Sequence, residues 1–262
     1  MTMIGRLLCL ALMLMAPCAY AAEQDYAAQL VARARLLGLA HSDEWRALLH
    51  YRPNLIEPGV TSEVDSPGFF IAPHGKTDPE AELEGTIRAF FAPGPWEGDE
   101  QHPQCKYIAR YTWLKSELHF DASRLPQRRC PAFDAWLAAL DPQSVTLIFP
   151  TAYLNNPSSM FGHTLLRVDA KGQNDQTRLL AYAVSYGAVT GRDGGVLFAV
   201  KGIIGSYPGI FSIAPYYIRV RQYNDIQNRD IWEYRLNFTV PEIRFMLMHL
   251  WELRRAYFNY FF

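Results

Sequence analysis

Apolar residues recur at helical spacing through Tyr26, Leu30, Val31 and Leu37, predicting a helix over residues 23–40. Ser42-Asp43-Glu44 then opens a second helix through Trp45, Leu48 and Leu49, which Pro53 ends. From Pro53 to Pro79 the chain is rich in Pro, Gly, Ser and Asp, which reads as a long loop around a short Phe69-Phe70-Ile71 strand. Asp78-Pro79-Glu80 supplies a capping side chain, a first-turn proline and an early acid, so a helix should run from there to about Phe91. Another follows Cys130 through Phe133, Trp136 and Leu137. After Ser144 the pattern changes to strands: Val145–Pro150, Phe161–Asp169, Arg178–Tyr186, Ile213–Arg221 and Asp230–Phe238 run apolar or alternate. Lys171 to Asp175 is a polar hairpin loop, and Gly191 to Gly209 reads as a covered loop, with a flap or a membrane-surface contact as the alternatives.

Thr239-Val240-Pro241-Glu242 has the form of a capping box, opening a helix that is expected to carry Ile243, Met246, Leu247, Leu250 and Leu253 and to reach the tail. Five of the last six residues are aromatic and no Gly, Asn or Pro closes that helix, so the natural polypeptide is expected to continue beyond Phe262. The expected fold class is α+β: an antiparallel sheet of about five strands packed by helices, preceded by a small helical segment.

Arg6, the apolar run from Leu7 to Ala16 and Ala19-Tyr20-Ala21 together match a cleavable secretory leader over residues 1–21. The run is too short to span a bilayer, which takes roughly 20 residues, and Pro17 before Cys18 disfavours a lipoprotein signal. Cleavage leaves Cys105 and Cys130, which should pair in an oxidising compartment. The bridge would contribute about 3 kcal/mol in the chain-entropy view. His102, three residues before Cys105, offers a thiol–imidazole pair or a metal site as the weaker alternative. The mature chain has 24 basic and 26 acidic residues, so charge gives no reason to expect nucleic acid as a partner. The expected divisions are a helical segment over 22–60, a linker and helical region over 61–120, and a main domain over 121–262.

No Gly-x-Ser-x-Gly elbow and no His-Glu-x-x-His occurs. Gly75-Lys76-Thr77 resembles the end of a phosphate loop, but Phe70 stands where that loop needs glycine. His163 remains, one imidazole after Gly162 at the mouth of a strand. Spacing alone leaves two readings open: a hydrogen-bonded structural histidine, or a general base with a nucleophile in reach. Its flanks hold Asn155, Asn156, Ser158, Ser159 and Thr164, with no sulfur nucleophile close by. Ser185 or Tyr186 on the following strand would be the orienting partner.

The run from Asn155 to Leu166 resembles the signature of the Lnb N-terminal periplasmic domain family. Tyr182 to Ala188, Lys201-Gly202, Gly205 to Gly209, Pro215-Tyr216-Tyr217 and Arg229 to Tyr234 agree with it in order, over about residues 120–262. The resemblance implies a permuted papain-like thiol enzyme, similar to the NlpC/P60 type, acting in the periplasm on a lipid or lipoprotein at the membrane surface. In the lipoprotein N-acyltransferase that gives the family its name, a fatty acyl chain moves onto an amino group. By the same resemblance a cysteine nucleophile is expected just beyond residue 262, with His163 as its base. Asn155, Asn156, Ser158, Ser159, Lys201 and Tyr207 would contact substrate, with Ile203, Ile204 and Tyr207 walling an acyl chain and Lys201 meeting a phosphate; the competing reading, which residue type favours, makes Lys201, Ile203, Ile204 and Tyr207 structural. No cofactor and no metal is implied. The competing expectation is a non-catalytic envelope module in which His163 is structural.

Overall fold

The computed structural model describes residues 25–94, 101–151, 163–191, 193, 195–226 and 228–261. They fall into two compact units, one within 25–61 and 70–129 and the other within 62–69 and 130–261.

The first unit is helical. Helix α1 covers residues 25–36. Helix α2 (Asp43–Leu49) is capped by Ser42, whose Oγ accepts from the Trp45 amide. Short strands β1 (Tyr51–Pro53) and β2 (Val60–Ser62) pair, and helix α3 (Pro79–Ala89) starts on Asp78 with proline in its first turn. In the second unit, the predicted strand at Phe69 is instead a 3-10 turn, Pro67–Phe69, consistent with Pro67-Gly68 favouring a turn over an extended run. Helices α4 (Pro103–Lys106) and α5 (Ile108–Leu118) follow. Trp45 stacks on Trp113 at 5.8 Å, and its indole donates to the Pro79 carbonyl. A fully buried ion pair, Arg110 to Glu82 at 2.9 Å, lies in this core, and Glu82 also accepts from the amides of Ile71 and Ala72. A Cβ on Gly75 would sit 2.2 Å from the Glu82 carboxylate, so this glycine serves close packing within the Gly75-Lys76-Thr77 triplet.

Helix α6 (Pro131–Leu140) leads into the main sheet of the second unit. Its strands are β3 (Pro142–Pro150), β4 (Leu165–Ala170), β5 (Tyr182–Ala188), β6 (Tyr207–Pro215), β7 (Ile231–Arg235) and β8 (Phe258–Tyr260). They run antiparallel in the order β7-β3-β4-β5-β6-β8. Between them lie helix α7 (Gly195–Ile203), helix α8 (Tyr216–Val220), a π-helical turn over Arg221–Ile226, and helix α9 (Val240–Leu253). The α+β class is as expected, with six strands in this sheet instead of about five.

Three local readings are corrected. The stretch Gly191 to Gly209 holds helix α7. The strand expected over Ile213–Arg221 ends at Pro215 and turns into α8, because Pro215 lacks the N–H an interior ladder needs. The terminal helix stops at Leu253, and the aromatic tail returns as β8 beside β6, with Phe258 buried.

Register sorts the side chains onto two faces, since directly paired residues share one. Ile148, Leu165, Ser185 and Ser212 form one paired row, with Thr146, Arg167, Ala183 and Ala214 next to it. This face packs Ile148, Leu165 and Ala183 against Tyr216 and Tyr223 of α8 and the π turn. The opposite face carries Val145, Val184, Phe211 and Ile213, where Trp136 of α6 and Leu250 and Trp251 of α9 line a cavity with Phe211 and Ile213.

Candidate active site around His163

His163 sits two residues ahead of Leu165, so strand alternation directs it to the face covered by α8 and the π turn. Its ring lies 6.0 Å from that of Tyr223 at 46°, and the side chain is half-buried. The helix α8 and π turn that cover this face also bring in Arg219. One guanidinium nitrogen, Nη2, donates to Ser185 Oγ at 2.8 Å and to Ser212 Oγ at 3.1 Å, while the two hydroxyls are 3.0 Å apart. Arg229 stacks over Tyr223 at 4.9 Å and donates to the backbone carbonyls of Pro150 and Thr151 at the end of β3. Burial, then the positive charges of Arg219 and Arg229, hold the His163 imidazole below the ordinary histidine range. It is therefore neutral at neutral pH and able to accept a proton.

The floor of this face is a polar lattice. Arg167 donates to Asp169 and, at 2.8 Å, to Glu233, while the Tyr216 hydroxyl donates to Glu233 at 2.9 Å. Thr146 also donates to Asp169 at 2.7 Å. These bonds tie β3, β4, β7 and α8 together, which fixes the helix that carries Arg219. Ser185 and Arg219 thus lie on the His163 face, and Ser185 is engaged by Arg219.

Tyr186, one residue on from Ser185, points to the opposite face. It packs there against Phe211, Tyr260 and Phe258, and a Cβ on Gly209 would meet its hydroxyl at 2.2 Å. Burial, chiefly, raises its phenol to about 12, so it is a core residue on a different surface from the imidazole. Lys201 and Tyr207 form a third group: both contact the Asp193 carboxylate, at 2.8 and 2.9 Å. Asn155, Asn156, Ser158 and Ser159 lie outside the described residues.

Cys105 and Cys130 are joined in a disulfide, so neither supplies a thiolate. His102 caps α4: Nδ1 accepts from the Gln104 amide at 3.2 Å while Nε2 donates to the Ala92 carbonyl at 3.0 Å. That removes the thiol–imidazole alternative, because both ring nitrogens are committed to backbone. Among the described residues no group of three or more His, Cys, Asp or Glu is placed to hold a metal ion. Sequence reasoning missed Arg219, Ser212 and Tyr223. Arg219 sits on the segment expected as a strand and Tyr223 just past it, and the Ser185–Ser212 pair appears only once the β5–β6 register is known.

The fold and site define an α+β domain with a neutral histidine at a strand mouth, flanked by two guanidinium groups. The family model described as the Lnb N-terminal periplasmic domain matches residues 132–262, half of the chain, and the chain belongs to that family. A second model, described as a domain of unknown function (DUF7843), matches residues 37–117. Neither the comparison with curated proteins nor that with solved structures gives a match.

Proposed function

We propose that this family member is a thiol acyltransferase or hydrolase of the cell envelope, with His163 as general base. Membership places the domain in the periplasm or envelope, and the leader ending near Ala21 is the proposed route there. The observation that carries the reading is the setting of His163: half-buried, held neutral, and beside Ser185 and Arg219 at the mouth of β4. The nucleophile in this reading is the cysteine that the family resemblance expects after residue 262. Its thiol gives its proton to His163, and the sulfur attacks an ester carbonyl. A C–S bond forms, the ester C–O bond breaks, and the imidazolium returns the proton to the departing alcohol. An amine or water then attacks the thioester with His163 again taking the proton, giving an amide or a free acid and restoring the thiol.

Helix α7 supports a membrane-surface setting. Val196, Leu197, Val200, Ile203 and Ile204 are exposed on α7 and just past its end, and Ile203 is 71% exposed. The only charged side chain of α7, Lys201, is paired with Asp193, so the exposed apolar stripe carries no charge of its own. No described helix is long and apolar enough to cross a membrane, so a surface contact is the mode α7 suits.

The test is a trapped acyl-enzyme. Full-length protein incubated with an ester-linked lipid should gain the mass of one acyl chain, removable by hydroxylamine. His163→Ala should lower the rate by about 10²- to 10⁴-fold, the usual range for a general base. The second reading, a non-catalytic envelope module, is favoured by one observation: among the described residues none hydrogen-bonds the His163 ring. Lipid binding without any acyl mass would select it.

A further inference from the structure

Among the described side chains the guanidinium of Arg219 meets only neutral groups, the Ser185 and Ser212 hydroxyls and the Gln222 amide oxygen. Asp169 and Glu233 are both bound by Arg167, and Glu233 is bound by Arg178 and Tyr216 as well. Among the described side chains no carboxylate pairs with Arg219, and its Nε is buried without any hydrogen-bond partner. Two more features mark the place. Ser185 and Ser212, a hydroxyl pair on adjacent strands, face the same guanidinium. The π-helical turn follows α8 directly, and such turns are frequent at functional sites.

An unpaired buried N–H is costly in a protein interior, by roughly 1–3 kcal/mol. Nothing in the packing requires a charge here, since a neutral donor would serve the two serines equally well. We propose that Arg219, with Ser185 and Ser212, forms a binding site for a phosphate-type anion beside His163. The donor arrangement favours phosphate over carboxylate. Nη2 spends both its N–H groups on the two hydroxyls and Nη1 reaches Gln222 at 3.3 Å, so Nε has no parallel N–H left beside it to complete a fork. A carboxylate is best held by a parallel fork of two donors. A phosphate presents oxygens in several directions, so one can meet Nε and another the serine hydroxyl whose proton is free. The inference deepens the acyl-transfer reading, on which it rests for placing the reacting ester: the substrate would carry its phosphate next to that ester. A phospholipid headgroup and free phosphate share this chemistry.

The experiment follows the carbon-13 resonance of the His163 ring, assigned by its loss in His163→Gln, through a pH titration of the full chain. Inorganic phosphate should raise the His163 midpoint by masking the Arg219 charge. Arg219→Gln should raise it without phosphate and weaken phosphate binding about tenfold or more, the loss of one charge-assisted hydrogen bond. Arg219→Lys should keep part of the response. Vesicles of phosphatidylglycerol that produce the shift where galactolipid vesicles and free phosphate do not would assign the site to a lipid headgroup. A midpoint in the native sequence that responds neither to phosphate nor to phosphatidylglycerol overturns the site, and needs no variant to fold. An acyl-enzyme that forms while His163 ignores both anions would also overturn it and leave acyl transfer standing. The phosphate response without any acyl-enzyme would sustain the site and remove the acyl-transfer reading.

Discussion

Two histidines are held neutral by burial and by nearby arginines, and both couple to acid. His102 is lowered by burial and by Arg128, against the opposing bond to the Ala92 carbonyl, and its Nδ1 must stay unprotonated to cap α4. His163 is lowered by burial and then by Arg219 and Arg229. For a group whose folded value lies below its unfolded one, the unfolded chain binds more protons in the window between them. The stabilisation is therefore complete above the ordinary histidine value of about 6.5 and declines as pH falls below it. The thermal midpoint should drop between about pH 7 and pH 5.5, and the drop should be smaller in His102→Ala and in His163→Ala. A midpoint that is flat or rises on acidification over that range would contradict this assignment. His163 stood out in the sequence because it is the only histidine in its stretch, yet spacing could not show its charge state. That depends on two arginines from elements 56 and 66 residues further along, which no local pattern connects to it.

At the level of elements, patterns that depend on a few adjacent residues were the readable ones. Ser42, Asp78 and Thr239 each cap the helix their local sequence announces, and Thr239 with Glu242 completes the box. Patterns shared by two kinds of element failed. An apolar, aromatic segment after a helix has no feature that tells helix from strand, so Phe258 to Tyr260 reads as more helix until β6 offers it an edge. The same ambiguity hid α7 inside a glycine-rich stretch and α8 behind Pro215. The tail can be tested directly. Phe258 is 9% exposed and packs edge-on to Tyr186 and Phe211, whereas Phe261 is 63% exposed. Phe258→Ala should cost about 3 kcal/mol or more in denaturant unfolding, as for a large aromatic removed from a core. Phe261→Ala should cost well under half of that. Equal effects would mean that β8 does not hold the aromatic cluster.

For the whole molecule, composition and cysteine usage pointed in one direction and the chemistry has to agree with it. The leader-like residues and the two cysteines outside them are what an exported protein is expected to show, and the family is a periplasmic one. The disulfide between Cys105 and Cys130 fits the same compartment. It spans a segment of 25 residues that includes α5, whose Arg110 makes the buried pair with Glu82. Because the bridge restricts the unfolded chain, its loss should act as a stability change with the folded contacts intact. Reduction, or Cys105→Ser with Cys130→Ser, should lower unfolding stability by about 3 kcal/mol in the chain-entropy view. The circular dichroism of the folded state should stay the same at low temperature. The same treatment should leave acyl-enzyme formation intact, because the proposed nucleophile is neither of these cysteines and His163 draws its environment from β3, β5, α8 and the π turn. If the double serine variant instead lost acyl transfer while remaining folded, one of the two sulfurs would have to take part in the reaction, and the assignment of the nucleophile to a cysteine after residue 262 would fall.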